Sequence, residues 1–170
     1  MDQQHAAILR DADLQAFRAE HAVTRRVIEA IPPERCEFKP DPVVKTALEL
    51  AWHIVGAEHR FVDAVVQGAF DFTNTGKPAS LVTPADVARW YAGTFEDDMS
   101  RLAGVTPEQL VKPIDFRGLF QRPAVAFLRI GLSHSIHHRG QLSMYLRPMG
   151  AKVPAIYGES YDSKLVKSEV

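Results

Sequence analysis

Apolar residues recur every three or four positions through four stretches of this chain, and each stretch is bounded by residues that start or stop helices. Leu14, Phe17, His21, Thr24, Val27, Ile28 and Ile31 keep one face from Asp11 or Asp13 onward, until Pro32-Pro33 ends the pattern. This predicts a first helix over 11–31. Thr46, three residues before Glu49, has capping-box spacing and opens a second helix over 46–67, which Gly68 terminates. Leu50, Ile54, Ala57, Phe61 and Val65 form its inward stripe. Thr83-Pro84-Ala85-Asp86 supplies a capping hydroxyl, a proline at the first helical position and an acid in the first turn, so a third helix runs over 84–103. Residues 105–122 show no sustained period and read as a long connection with one helical turn at Pro107–Leu110. Pro123 opens a fourth helix over 123–146, stopped by Pro148 and Gly150, and residues 151–170 read as an extended tail.

Four amphipathic helices without an alternating strand pattern predict an all-α four-helix bundle, an architecture that builds metal sites from side chains projecting inward off facing helices. With 170 residues and 46% apolar content, the chain is read as one domain spanning 1–170. A formal charge of −1 offers no electrostatic reason for a nucleic-acid or anionic-membrane partner, which leaves small molecules. Cys36 is the only cysteine, so no intramolecular disulfide can form, and the start lacks a basic stretch followed by an apolar one. The longest apolar run, Ala124–Leu132, contains Arg129 and falls far short of the roughly 20 residues a spanning helix needs. The expected compartment is the cytoplasm, with no membrane partner.

Within this frame the histidines carry the chemistry. His134 and His138 are one helical turn apart, about 40° round the helix, and so can reach one ion without moving the backbone. Phe127, Gln141 and Tyr145 lie within about 20° of His134, which places the pair on a core-facing stripe. His53, on the second helix, shares its sector with Ala57 and Ala64, small residues that leave room for a ligand. A single inward histidine is ordinarily a hydrogen-bonded core residue, but three together would each leave a ring nitrogen to satisfy, which a divalent cation does. Three protein ligands leave an open position, the arrangement of catalytic metal sites. Glu49 and Gln141, each close to a ligand on its own helix, are the candidates for orienting a ring or a substrate.

The other histidines are set aside. His137 falls toward the edge of the stripe, His59 faces away from His53, His5 sits in a mobile start, and His21 is a packed or surface-edge residue of the first helix. Cys36 has no paired base, Trp52 and Trp90 read as core, and Arg139 and Arg147 as solvated or interface residues.

Leu48-Glu-Leu-Ala-Trp-His53-Ile, His134-Ser-Ile-His-His138-Arg-Gly-Gln-Leu142 and Tyr145-Leu-Arg-Pro-Met-Gly150, with the loop from Ile31-Pro-Pro-Glu to Phe38-Lys-Pro40, resemble the DinB/YfiT-like family of metal-dependent helical-bundle proteins. The resemblance implies an up-down-down-up bundle, which explains the long link between the second and third helices. It also implies a three-histidine site, here His53, His134 and His138, and frequent homodimers. Where family chemistry is known, it includes transferases and isomerases using low-molecular-weight thiols. The leading expectation is therefore a metal-dependent enzyme of the thiol-transferase or hydrolase type, with Zn, Ni, Fe or Mn as the ion. The alternatives are a non-catalytic metal-binding stress protein or dimeric ligand-binding module, and purely structural histidines. Residues Lys152 to Tyr161 are expected to pack across a bundle end, with Tyr157 at the site entrance.

Overall fold

The computed structural model describes residues 1–168. Four long helices make the bundle: α1 (Gln3–Glu29), α2 (Ala47–Gln67), α3 (Pro84–Ala103) and, after the short α4 (Pro107–Val111) and two strands, α5 (Ala126–Leu146). Strands β1 (Pro113–Phe116) and β2 (Phe120–Pro123) pair antiparallel, and α6 (Tyr161–Ser168) follows a stretch without regular structure.

Residue pairings between helices give their directions. Along α2 and α3, Trp52 meets Trp90, His59 meets Asp98 and Asp63 meets Arg101, so these helices run parallel. Arg18 pairs with Glu96 while Arg10 reaches the Val105 carbonyl, so α1 and α3 are antiparallel. His53 meets His138 while Phe61 meets Gly131, so α2 and α5 are antiparallel. Asp13 pairs with Arg129 and Glu20 with Arg139, so α1 and α5 run parallel. The order is up-down-down-up. Two parallel neighbours in sequence, α2 and α3, require a return crossing, and residues 68–83 make it.

Local chemistry explains the ends of α2 and α3. Thr46 and Glu49 form a reciprocal capping box, as do Thr83 and Asp86, and Gly68 closes α2 at φ 80°, a left-handed conformation that only glycine adopts without cost. The first helix differs from the pattern reading. It begins at Gln3, capped by Asp2, rather than near residue 11, so His5 lies in the first helical turn with its amide donating to Asp2. Asp13, which resembles a cap in sequence, is a buried mid-helix residue paired with Arg129.

The connection before α5 also differs. Four-residue strands in which only Ile114 is buried are too short to show alternation, so the hairpin leaves no period in the sequence. Its turn is fixed by Arg117 and Gly118 at positive φ and by the Gly118 amide donating to Asp115 at 2.7 Å. Pro123 therefore ends β2, and α5 starts at Ala126 instead. The tail is not extended throughout: α6 is helical, and the last two residues of the expected tail lie outside the described ones.

Candidate metal centre

Close approach of α2 and α5 builds the site. Gly131 lies against the Phe61 side chain, and His134, one turn further along α5, meets that ring at 5.9 Å between centroids. One further turn brings His138 opposite His53. The three imidazole centroids are 4.3 to 4.8 Å apart. One donor nitrogen from each ring falls within 4.8 Å of the other two, and His53 Nε2 lies 3.1 Å from His138 Nε2.

Gln141 decides which nitrogens are available. Its amide donates to His137 Nε2 at 3.2 Å, and its carbonyl oxygen accepts from His138 Nδ1 at 2.7 Å. A proton held on Nδ1 leaves the His138 Nε2 lone pair aimed at His53. Two Nε2 lone pairs at 3.1 Å repel unless they share a proton or face one cation. For comparison, metal–nitrogen bonds of about 2.0–2.1 Å give a tetrahedral edge of about 3.3 Å. Buried His134 Nδ1 has no hydrogen-bond partner among the described residues. Burial, then the neighbouring His138, lowers both His53 and His134 from 6.5 to about 4, so both rings are neutral at pH 7 with lone pairs free. The residues fit a divalent ion.

Two openings flank the rings. A cavity of about 290 Å³ is lined by Lys45, Glu49, Trp52, His53, Arg60 and Lys77 among others, and shares Trp52, Gly56 and Arg60 with a larger cleft of about 830 Å³. On the other side, His138 and Gln141 border an apolar groove of about 440 Å³ with Val43, Met144 and Tyr145. Trp52 and Trp90, expected in the core, are half-buried instead and wall the larger cleft edge to face, 4.9 Å apart. Gly56 permits this, since a Cβ there would stand 2.9 Å from the Trp52 indole.

A profile of the DinB family matches residues 1–165. The chain belongs to the DinB family. The Bacillus subtilis protein YjoA, itself uncharacterized, is 33% identical to this DinB protein over 138 residues, covering 79% of this chain and 86% of YjoA. The uncharacterized B. subtilis protein YrdA is 24% identical over 153 residues, 87% of each chain. The crystal structure of YjoA, a DinB-like protein, superposes with a TM-score of 0.68 at 26% identity, covering 88% of this chain and 99% of that one. A DinB-like protein from Bacillus cereus superposes with a TM-score of 0.73 at 25% identity over 86% and 97% of the two chains.

The remaining expected residues divide. Glu49 borders the histidine cavity, but its carboxylate is held by the Thr46 amide at 2.8 Å and not by a histidine ring. His137 is exposed and reaches the cluster through Gln141. His21 stacks on Phe95 at 3.9 Å as a packed residue. Half-buried Cys36 has its thiol pushed up by burial and by Glu37, which disfavours a nucleophile.

Arg139 departs most from expectation: it is 2% exposed, bonded to Glu20, Thr24 and Tyr157. It does point away from the histidines, but α5 packs on α1 as well as α2, so the side opposite the metal candidates is also interior. Tyr157, bonded to Arg139 and Glu20, accordingly lies on the α1 side of α5 and not at the site entrance. Arg147 is exposed and pairs with Asp162 at 3.3 Å.

Pattern reading missed three features. Glu58 is fully enclosed and accepts from the Tyr91 hydroxyl at 2.5 Å. Asp98 and Asp63 bracket His59 at 2.7 and 3.2 Å, with Arg101 bonded to both carboxylates. The bond to Asp98 raises His59, and Arg101 already pairs with both carboxylates, so an ion at this second cluster would have to compete with a resident cation. Arg60 lines both cavities, and its seven-residue spacing from His53 was the available signal.

Proposed function

We propose that this DinB protein binds a divalent metal ion through His53, His134 and His138 and uses it in a transfer or hydrolysis reaction on a small molecule, with a low-molecular-weight thiol as the leading co-substrate class. The observation carrying this reading is the facing pair of Nε2 atoms, 3.1 Å apart, with the His138 tautomer set by Gln141. When bound, an ion with three imidazole ligands supplies Lewis acidity that lowers the pKa of a thiol or water at its open position. The chain's own residues hold and shape. Gln141 keeps the His138 proton on Nδ1, Phe61 and Gly131 fix the spacing of α2 and α5, and the two openings admit a ligand beside the rings. Zn, Ni, Fe and Mn all suit three neutral imidazoles, so donor chemistry leaves the metal's identity to supply.

A second reading has one observation in its favour. Glu49 is the only carboxylate lining the histidine cavity among the described residues, and it is committed to capping α2, so no uncommitted carboxylate lines that cavity to serve as a base. A binding module that holds metal and ligand without turnover has the same geometry. For assembly we propose a homodimer, tested by light scattering at micromolar concentration. No described helix is long and apolar enough to cross a membrane, which accords with a proposed cytoplasmic setting.

Elemental analysis of untagged protein, followed by titration of apo-protein with Zn or Co, tests the metal. One ion per chain is expected; purified protein with no metal that binds neither ion would refute the reading. Thiol-conjugation and hydrolysis panels on the loaded protein then separate enzyme from module.

A further inference from the structure

Arg60 lies two helical turns beyond His53 on the same side of α2, about 10.5 Å along the axis. Its guanidinium is half-buried, yet it makes no hydrogen bond and no ion pair with any described residue. Five donors partly withdrawn from water without an acceptor are costly, so the position calls for an anion.

The carboxylates nearby are already occupied. Asp63 bonds Arg101 and His59, Asp71 bonds the amide and hydroxyl of Thr73, and Glu49 bonds the Thr46 amide. The strongest charge acting on Arg60 is another cation, Arg117, ahead of the favourable Asp71 and Asp63; the Arg117 guanidinium stands 4.1 Å over the Phe72 ring and makes no ion pair with a carboxylate among the described residues. Around the histidine cavity, Lys45, Arg60 and Lys77 face Glu49 alone, and Lys77 is partly committed to the Leu81 carbonyl. Positive charge therefore outweighs negative in a cavity that also contains His53.

We propose that Arg60 is an anion-binding residue, and that the molecule processed here is a small carboxylate whose charged end pairs with the Arg60 fork while its reacting end sits at the three histidines. This inference rests on the metal reading above. A planar guanidinium matches a carboxylate through two parallel N–H···O bonds, which a lysine cannot reproduce. Arg60 opens onto the larger cleft as well, so the bulk of such a molecule has room beyond the histidine cavity.

The test uses the full chain reconstituted with Co(II), read by the ligand-field bands of bound cobalt and by the charge-transfer band that appears when a thiol binds it. The probes are 4-mercaptobutyrate and 6-mercaptohexanoate against 4-mercaptobutanol and 6-mercaptohexanol, chains too long for favourable chelation by thiol and carboxylate together. At least one acid is expected to bind about tenfold or more tightly than its alcohol, the preference a charge-assisted pair gives. Arg60→Gln should reduce that preference to within about twofold while cobalt stoichiometry, helicity and alcohol affinity stay unchanged; Arg60→Lys should keep part of it. Equal binding of acids and alcohols to cobalt-loaded protein overturns the anion inference alone. So does a preference that survives in Arg60→Gln. Absence of cobalt bands overturns the metal reading itself and this inference with it.

Discussion

Gly131 on α5 is seated directly against Phe61 on α2, so closely that a Cβ at this glycine would come within 2.7 Å of the Phe61 Cβ. The absent methyl lets the two ligand-bearing helices approach. Elsewhere in a helix, replacing glycine by alanine is worth about 1 kcal/mol in backbone entropy. At Gly131, overpacking should reverse the sign, with a loss of about 1–3 kcal/mol, and divalent-metal affinity should fall with it. Exposed Gly93 on α3, with nothing near its missing Cβ, should instead gain stability as alanine. Urea denaturation of both variants checks the contrast.

His138 and His137 are neighbours with opposite expectations. His138→Ala removes a ring that faces His53 and should abolish stoichiometric metal, whereas His137→Ala should retain it. Gln141→Ala leaves the three rings in place but frees the His138 tautomer, which predicts a ten- to hundredfold weaker site, on the order usual for partners that orient metal ligands. Calorimetric titration with Zn orders the three. Full metal affinity in His138→Ala would show that the facing pair is structural.

Arg139 is buried against Glu20, Thr24 and Tyr157. Arg139→Met strands the Glu20 carboxylate and should cost about 3 kcal/mol, since breaking one side of a buried pair leaves the other uncompensated. Adding Glu20→Gln should recover part of the loss. Tyr157→Phe should cost about 1 kcal/mol for one lost hydrogen bond to a charged network and leave metal affinity unchanged. Altered metal affinity in Tyr157→Phe would place this residue at the site after all.

Burial raises the Glu58 carboxyl from 4.5 to about 7, against the opposing bond from Tyr91. The folded chain then holds this proton more tightly than the unfolded chain between those values. Its contribution to stability is fully present below pH 4.5 and is lost as pH rises through 7, by about 3 kcal/mol in all. Glu58→Gln keeps an acceptor for Tyr91 and cannot ionise. Relative to wild type it should gain stability from pH 5 to pH 8, measured by chemical denaturation at each pH; an unchanged difference would mean the carboxyl titrates normally.

The sequence by itself determined the long helices from Thr46 and Thr83 onward, because capping boxes, Pro84 and Gly68 are local instructions that act within one turn. It also determined that His134 and His138 share a face, since four-residue spacing fixes their relative direction wherever the helix goes. The reach from His53 to that pair depended on Gly131 meeting Phe61, a contact between residues seventy positions apart, and only packing could decide it. The same holds for Arg139. Its angle on the helix was readable, but whether that side meets water or α1 depends on how many neighbours α5 has. Hairpin strands of four residues, a cap at Asp2 and the uncommitted fork of Arg60 lay beyond pattern reading too. A short strand has no measurable period, and a charged group counts as unpaired only once every partner around it has been placed.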